Sequence, residues 1–550
     1  MVLYKSKTRG KIRPMIHPRS VLNPEQVKFL LGDFFCGFGG VGYGARSAKN
    51  TIVVSGANHD SVAIDCHSLN MPDTVHFNED ITELYGQVIH GILFKSPQLQ
   101  RLIRLFDLYR AFYPNAKVVM HFSHECTNYS IAKGGQPRDA DSRSLPEHSD
   151  RYIYAIDPDI ITIENVKEFM SWGPMKIKAV KEHKEDLSKG QYAHTELKWI
   201  YNKKKDREEP AYIPISSRKG EDYLRWVESI KEMGYSYDYR ILNAADFGAY
   251  TSRNRLFINF SKPNIPVAWP KPTHSKYGST QPDLFGESLK PWRAVRDLID
   301  FTDEGESIFT REKRLADNTL DTIIAGILKF APKNENDFMY KYYGNGHNLN
   351  SMDEPAGTIP TKDRFGKICC ILRNYRTGFT TSIDTAMGTL PTVPKANLLS
   401  FIRNPSHFGH TTSIDTACPT VVASQHKAPL LIVNTIEGKI NPAIVDFLDK
   451  KDWSYINQEP GAKKTKAIEL IEVMFEYGLS DILMRMLRVD ELLVIQGFPE
   501  DYIMIGPETK QKKFIGNSVV PLAYKVILQA LEQEIFSYHD DFHNHIKLAA

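Results

Sequence analysis

From Phe29 to about Ile160, short apolar runs alternate with polar stretches that carry apolar residues at helical spacing. Such runs suit strands buried on both faces of a mostly parallel sheet whose flanking helices exclude water. The pattern predicts strands over Leu30–Phe35, Thr51–Ser55, Lys117–Phe122 and Ile160–Ile163, with a helix over Pro97–Tyr113. A stretch rich in Lys and Glu, from Lys176 to Lys219, reads as a solvated surface insertion. Pro263, Pro266, Pro270 and Pro272 then mark a linker. Beyond it the chain repeats. Ser-x-Asp segments place aspartates at 353, 384 and 415, a weaker copy begins at Leu320, and apolar runs ending at Asn374, Asn404 and Asn434 recur in step. Each unit reads as strand, polar loop, Ser-x-Asp turn and second strand, and units of this period stack on one another. After Asn441, helical patterns run to the end.

Composition adds limits. A chain of 550 residues, 42% hydrophobic and 25% charged, buries a sizeable core and builds more than one domain. With 69 basic against 66 acidic residues, any nucleic-acid surface must arise from local clustering. The six cysteines form no C-x-x-C pair, so zinc knuckles and disulfide frameworks are not indicated, no metal is expected, and a reducing, cytoplasmic setting is. The basic residues before Arg19 precede no apolar run of the kind a secretory signal needs, and no membrane span is expected.

Candidate chemistry lies at the predicted strand ends. Gly37, Gly39 and Gly42 form a G-x-G-x-x-G turn after the first strand, where backbone can approach a ligand at a helix N-terminus; alone it fits a nicotinamide-nucleotide loop equally well. Cys126 follows the strand Lys117–Phe122, in the crevice where open parallel sheets bind ligands. Glu164 and Asn165 end another strand, and Arg253 and Arg255, two residues apart on an extended segment, are placed to face one pocket.

These segments follow one another in the order of a known family, and the chain resembles the DNA cytosine-C5 methyltransferases of bacterial or phage type. Phe35-Cys-Gly-Phe-Gly-Gly is similar to the family's first motif, Ser123-His-Glu-Cys126-Thr-Asn-Tyr-Ser130 to its nucleophile loop, and Ile163-Glu-Asn-Val166 to its sixth motif. Thr251-Ser-Arg253-Asn-Arg255 resembles the eighth, Arg485 to Glu491 with Gln496-Gly-Phe-Pro499 the ninth, and Gly516-Asn-Ser-Val519 the tenth. The resemblance implies an α/β fold: a Rossmann-like class I methyltransferase sheet with a second, smaller β-rich target-recognition domain. It divides the chain into a basic arm (1–28), a catalytic domain (29–270), the recognition domain (275–480) and a C-terminal segment (481–550) returning to the catalytic domain. It further implies S-adenosyl-L-methionine as cofactor, held by Phe35, Gly37, Gly39, Gly40, Asn58, His59, Asp80, Asn517 and Ser518. Cys126 would attack the base, assisted by Glu164, Asn165, Arg253 and Arg255. Arg373, Arg376, Arg403 and His407 are offered for DNA contact. The expected partner is double-stranded DNA, with any restriction endonuclease a separate protein and this chain a monomer. Departures fall at Glu125, where the family has proline, and at Thr127, Thr251, Asn58 and His59. An RNA cytosine methyltransferase and a catalytically silent DNA-binding relative are the alternatives left open.

Overall fold

The computed structural model describes residues 25–549 except 85, 90–91, 125–144, 184–193, 203–205, 280–287, 296–297, 301, 304, 331–336, 344–347, 352–365, 374–395, 405–407, 414–430, 438–442 and 478. Its first half is built on a seven-stranded sheet. In chain order the strands are β1 (Phe29–Phe34), β2 (Thr51–Asn58), β3 (Val75–Asn78), β4 (Lys117–Phe122), β5 (Ile160–Asn165), β6 (Ser236–Asn243) and β7 (Asn254–Ser261). They lie side by side as β6-β7-β5-β4-β1-β2-β3. From β5 to β3 every pairing is parallel, while β7 runs antiparallel to both β5 and β6.

Alternation along β1 explains why the strands read as unbroken apolar runs. Leu30 and Phe34 enter one core with Phe106, on the helix Pro97–Phe112, and Tyr152, on the helix Leu145–Ile156. Phe29 and Leu31 face the other side, against Tyr524, Ile527 and Leu528 of the helix that begins at Pro521. Both faces are dry, so a polar side chain on the strand, as at Asp33, is held out of water.

The second half carries an eight-stranded sheet of Glu306–Ser307, Asp337–Tyr343, Asn348–Ser351, Gly366–Arg373, Ala396–Asn404, Phe408–Ser413, Leu431–Glu437 and Leu479–Met486. The apolar runs approaching Asn374, Asn404 and Asn434 are strands, as the repeat predicted; its Ser-x-Asp turns lie outside the described residues. Two expectations are corrected. The weak copy at Leu320 lies in a helix, Asp317–Phe330, because Leu320, Ile323, Ile324 and Ile327 recur at three- and four-residue spacing and fill a core with Leu470 and Val473. The helical C-terminal stretch is interrupted by the strand Leu479–Met486, which joins the second sheet through Gly366–Arg373 and Leu431–Glu437.

Arg485, at the end of that strand, forms a two-pronged pair with the buried carboxylate of Glu491 at 2.8 and 2.9 Å. It also donates from Nε to the Asp303 carbonyl at 2.7 Å and from Nη2 to the Asp300 carbonyl at 2.5 Å. One guanidinium therefore fixes where the second sheet's last strand meets the segment leading to the C-terminal helices. Arg485→Met should destabilise the protein by about 3–5 kcal/mol in urea unfolding by leaving Glu491 unpaired, and adding Glu491→Leu should recover most of the loss. A single-variant cost below about 1 kcal/mol would show that the pair is incidental.

Candidate active site

Every sequence-predicted residue that the structure describes in the first sheet lies at its carboxyl edge. The glycine loop leaves β1 through Phe35, at φ 59°, and Gly37, at φ 53°, and enters the helix Gly40–Ser47 with Gly39 at its N-cap. At Gly37 the left-handed backbone suits glycine, and a β-carbon there would meet nothing within 4 Å among the described residues, so against these the loop borders open space. At Gly40 the reason is different: a β-carbon would collide with Ser518 Oγ and the Val519 carbonyl, because the C-terminal segment packs directly on the loop.

Asn58 ends β2, and its side-chain oxygen accepts from the Asp60 amide at 2.9 Å. Asp60 caps the helix Ser61–Asn70 and pairs with Lys510 at 2.9 Å. His59 is exposed, as is Asp80 just beyond β3. Asn517 is exposed at the end of the helix Glu508–Asn517, whereas Ser518 is buried and its carbonyl accepts from Gln496 Nε2 at 2.9 Å. The polar ends of β2 and β3 thus lie on the same edge as the loop, with backbone groups, a carboxylate and an amide near its open space.

On the other side of β1, β5 ends in Glu164-Asn165. The antiparallel direction of β7 brings its first residues to this edge, with Leu256 opposite Asn165 and Phe257 opposite Glu164. Arg255 Nε lies 3.0 Å from Glu164 Oε1, both side chains almost wholly buried. Its Nη1 donates to the Asn254 carbonyl at 2.8 Å. Arg253 precedes the strand, where alternation does not apply, and its Nη1 donates 3.0 Å to the Gly516 carbonyl. Asn165 Nδ2 donates to the His124 carbonyl at 3.3 Å, tying β5 to the segment after β4. Thr251 is buried, and among the described residues its hydroxyl has no hydrogen-bond partner. Cys126, with Glu125, Thr127, Tyr129 and Ser130, lies outside the described residues, as do Arg376 and His407; Arg373 and Arg403 stand on strands of the second sheet.

Sequence reading missed several buried polar groups under this edge. His124 precedes Cys126 by two residues; its Nε2 is 2.6 Å from Ser149 Oγ, and its ring packs on Phe35 and Phe122. Burial lowers it to about 3, so it is neutral at physiological pH and offers no imidazolium to a neighbouring thiol. His121 bridges Thr162 at 2.8 Å and Ser123 at 2.7 Å and is likewise held to about 3 by burial and by His124. Behind the glycine loop, His67 lies against Gly42 and Gly56, and its Nδ1 is 2.7 Å from His76 Nε2. Its Nε2 faces Asp33 at 4.0 Å. Burial pushes the Asp33 carboxyl well above the usual range, an effect the Gly42 amide opposes. Burial, then Asp33, also raises the Cys36 thiol, which stays protonated. The roles of His67, His76 and His121 are set by their neighbours in space rather than by any local spacing.

A parallel sheet with one antiparallel strand inserted next to its edge, a glycine loop after β1 and a buried acid–arginine pair at the end of β5 is the Rossmann-like sheet of a methyltransferase. The chain belongs to the C-5 cytosine-specific DNA methylase family, whose model matches residues 215–533, more than half of its length. It is a DNA cytosine methyltransferase. That range holds Arg253, Arg255, Arg485 and Asn517, while Gly37, Cys126 and Glu164 lie before it. The chain is 27% identical over 266 residues to the Type II methyltransferase M.AquIA of Picosynechococcus sp., covering 48% of this chain and 85% of that protein. Among solved structures it is similar to one described as a DNA modification methyltransferase encoded within an E. coli prophage (14% identity, TM-score 0.40, 92% and 99% of the two chains). It is also similar to a Spodoptera frugiperda DNMT2 mutant (13% identity, TM-score 0.38, 92% and 99%).

The buried histidines set the acid limit of the fold. His67, His121 and His124 stay neutral when folded down to about pH 3, but the unfolded chain protonates them below their ordinary value near 6.5. Their contribution is complete above that value and is lost as pH falls towards 3, by up to about 1.4 kcal/mol per pH unit for each. Asp33, raised, acts in the opposite sense and offsets part of this. Urea midpoints should fall between pH 7 and pH 5; equal midpoints would contradict the assignment.

Proposed function

We propose that this chain transfers a methyl group from S-adenosyl-L-methionine to C5 of cytosine within a specific duplex sequence, through a covalent bond between Cys126 and C6. The observation that carries this reading is the buried Glu164–Arg255 pair at the carboxyl edge. An acid held beside a cation, next to the strand end that leads to Cys126, suits a base whose ring nitrogen must be engaged while a thiolate adds to the ring.

The fit for the cofactor rests on the glycine loop and its open side at Gly37, with Asn58, His59 and Asp80 at the adjoining strand ends and Asn517 and Ser518 closing the pocket. Bound there, the sulfonium would supply an electrophilic methyl group to C5 and depart as a neutral thioether. The protein's own groups do the rest. Cytosine must leave the stack, because C6 is inaccessible inside a duplex. Addition of the Cys126 thiolate to C6 places negative charge on the ring, which Glu164 meets by a hydrogen bond or proton at N3 and Arg255 steadies. Loss of the C5 proton with expulsion of the thiolate then restores aromaticity and frees the enzyme. The neutral state of His124 leaves activation of Cys126 to other groups. The second sheet, with Arg373 and Arg403 on its strands, would read the sequence. Similarity to a Type II methyltransferase supports a restriction–modification setting with a separate endonuclease.

Duplex DNA polymerised with 5-fluorodeoxycytidine triphosphate should form a denaturation-resistant complex with the protein in the presence of cofactor, and Cys126→Ser should abolish it. Equal trapping by the variant would refute the nucleophile. Glu164→Gln should lower kcat about 10²–10⁴-fold while the protein stays folded; an unchanged kcat would remove Glu164 from the chemistry.

A further inference from the structure

The segment between Lys176 and Lys219 reads as solvated surface, and the reaction proposed above makes no use of it. In the structure it is a branched antiparallel ribbon, a stem in which Met175–Ile177 pairs with Tyr212–Pro214 and two hairpins in which Ala179–His183 pairs with His194–Leu197 and Trp199–Asn202 with Arg207–Pro210. Backbone bonds from Lys178 to Ala211 (2.7 Å), Lys198 to Lys178 (2.8 Å) and Ala211 to Lys198 (2.8 Å) knit the three pairs at one junction. The ribbon connects the end of β5 to the start of the helix Glu221–Glu232. In a parallel sheet that connection lies at the carboxyl edge, so the ribbon projects from the edge that holds Glu164 and Arg255.

Its exposed face is not what a solvated insertion needs. Trp199 and Tyr201 alternate along one strand and so share a face, exposed by 54 and 57%; Leu197 and Val180, exposed by 39 and 58%, lie on the adjoining hairpin. Large apolar side chains grouped this way on a surface mark a contact site. Charge indicates with what. Residues 176–219 contain twelve Lys and Arg against seven Asp and Glu, an excess larger than the +3 of the whole chain, so the remainder of the protein is net acidic. A two-stranded ribbon also has the width that the major groove of duplex DNA admits.

We infer that this ribbon is a second DNA-binding element, which lays Trp199 and Tyr201 against the duplex flanking the target base while Lys176 and Lys198 meet phosphates. It rests on the family's DNA substrate and adds a contact outside the second sheet. Aromatic side chains suit such a surface because they give large, sequence-tolerant contact area beside the sugar–phosphate chain, and the lysines release counterions on binding.

Fluorescence anisotropy with a labelled duplex of about 40 base pairs reads the contact directly and needs no turnover, so it is independent of the assignment of Cys126. Trp199→Ala/Tyr201→Ala, both exposed and outside any core, should raise Kd about tenfold while methyl transfer at saturating DNA stays within about twofold. Lys176→Gln/Lys198→Gln should flatten the dependence of log Kd on log salt by about two. Unchanged Kd and salt dependence in both variants would overturn the proposal. So would sedimentation showing that the aromatic stripe is buried in a dimer which Trp199→Ala/Tyr201→Ala dissociates with DNA affinity intact.

Discussion

A carboxylate and a guanidinium cannot be taken out of water unless each finds the other, and the Glu164–Arg255 pair imposes that condition on the whole first half of the molecule. The partners are separated by the ribbon, a helix and β6 in the chain, and meet only because β7 inserts antiparallel between β5 and β6. Were β7 parallel like the rest, Arg255 would start at the opposite edge. The reversed strand, which lends the sheet nothing that a parallel one could not, is therefore the feature that assembles the site. The register of Phe257 against Glu164 sets the arginine two residues further out, just beyond the last pair of β5, Leu256 with Asn165.

The other side of the site depends on closure by the far end of the chain. Arg253 reaches the Gly516 carbonyl, Gln496 holds Ser518, and Tyr502 donates to the Phe38 carbonyl inside the glycine loop. Tyr524 lies within hydrogen-bond distance of Thr162, which in turn meets His121, so the last long helix is keyed into the middle of the sheet by polar contacts in an otherwise apolar core. Buried groups of this kind are costly to leave unmatched, and they favour one docking position over a sliding apolar one.

Much of the first sheet was legible because its strands are apolar on both sides and its helices obey the 3.6-residue period; the strand and helix ends moved by only a few residues. The site was legible where chemistry and sequence order coincide, as at Glu164 and Arg255. What escaped was set by tertiary packing. Leu320 to Ile324 shares its short motif with the repeat, but the extended run of apolar positions around it has helical spacing, and the longer pattern prevailed. Leu479–Met486 reads as part of a helical stretch because only its pairing with two distant strands makes it extended. His67, His76 and Asp33 belong to three separate elements, and no local spacing announces that they meet.

The packing of Ser518 and Val519 on Gly40 has a consequence for the order in which the protein comes into being. The glycine loop is synthesised with the first strand of the catalytic sheet, and the segment that packs on it only after the whole second sheet. A chain still leaving the ribosome can form strands and helices of the first half, yet it lacks the segment that packs on its glycine loop until Ser518 and Val519 have emerged. Contacts spanning so much sequence close slowly. A product that stops short of Ser518 would leave the glycine loop uncovered at Gly40.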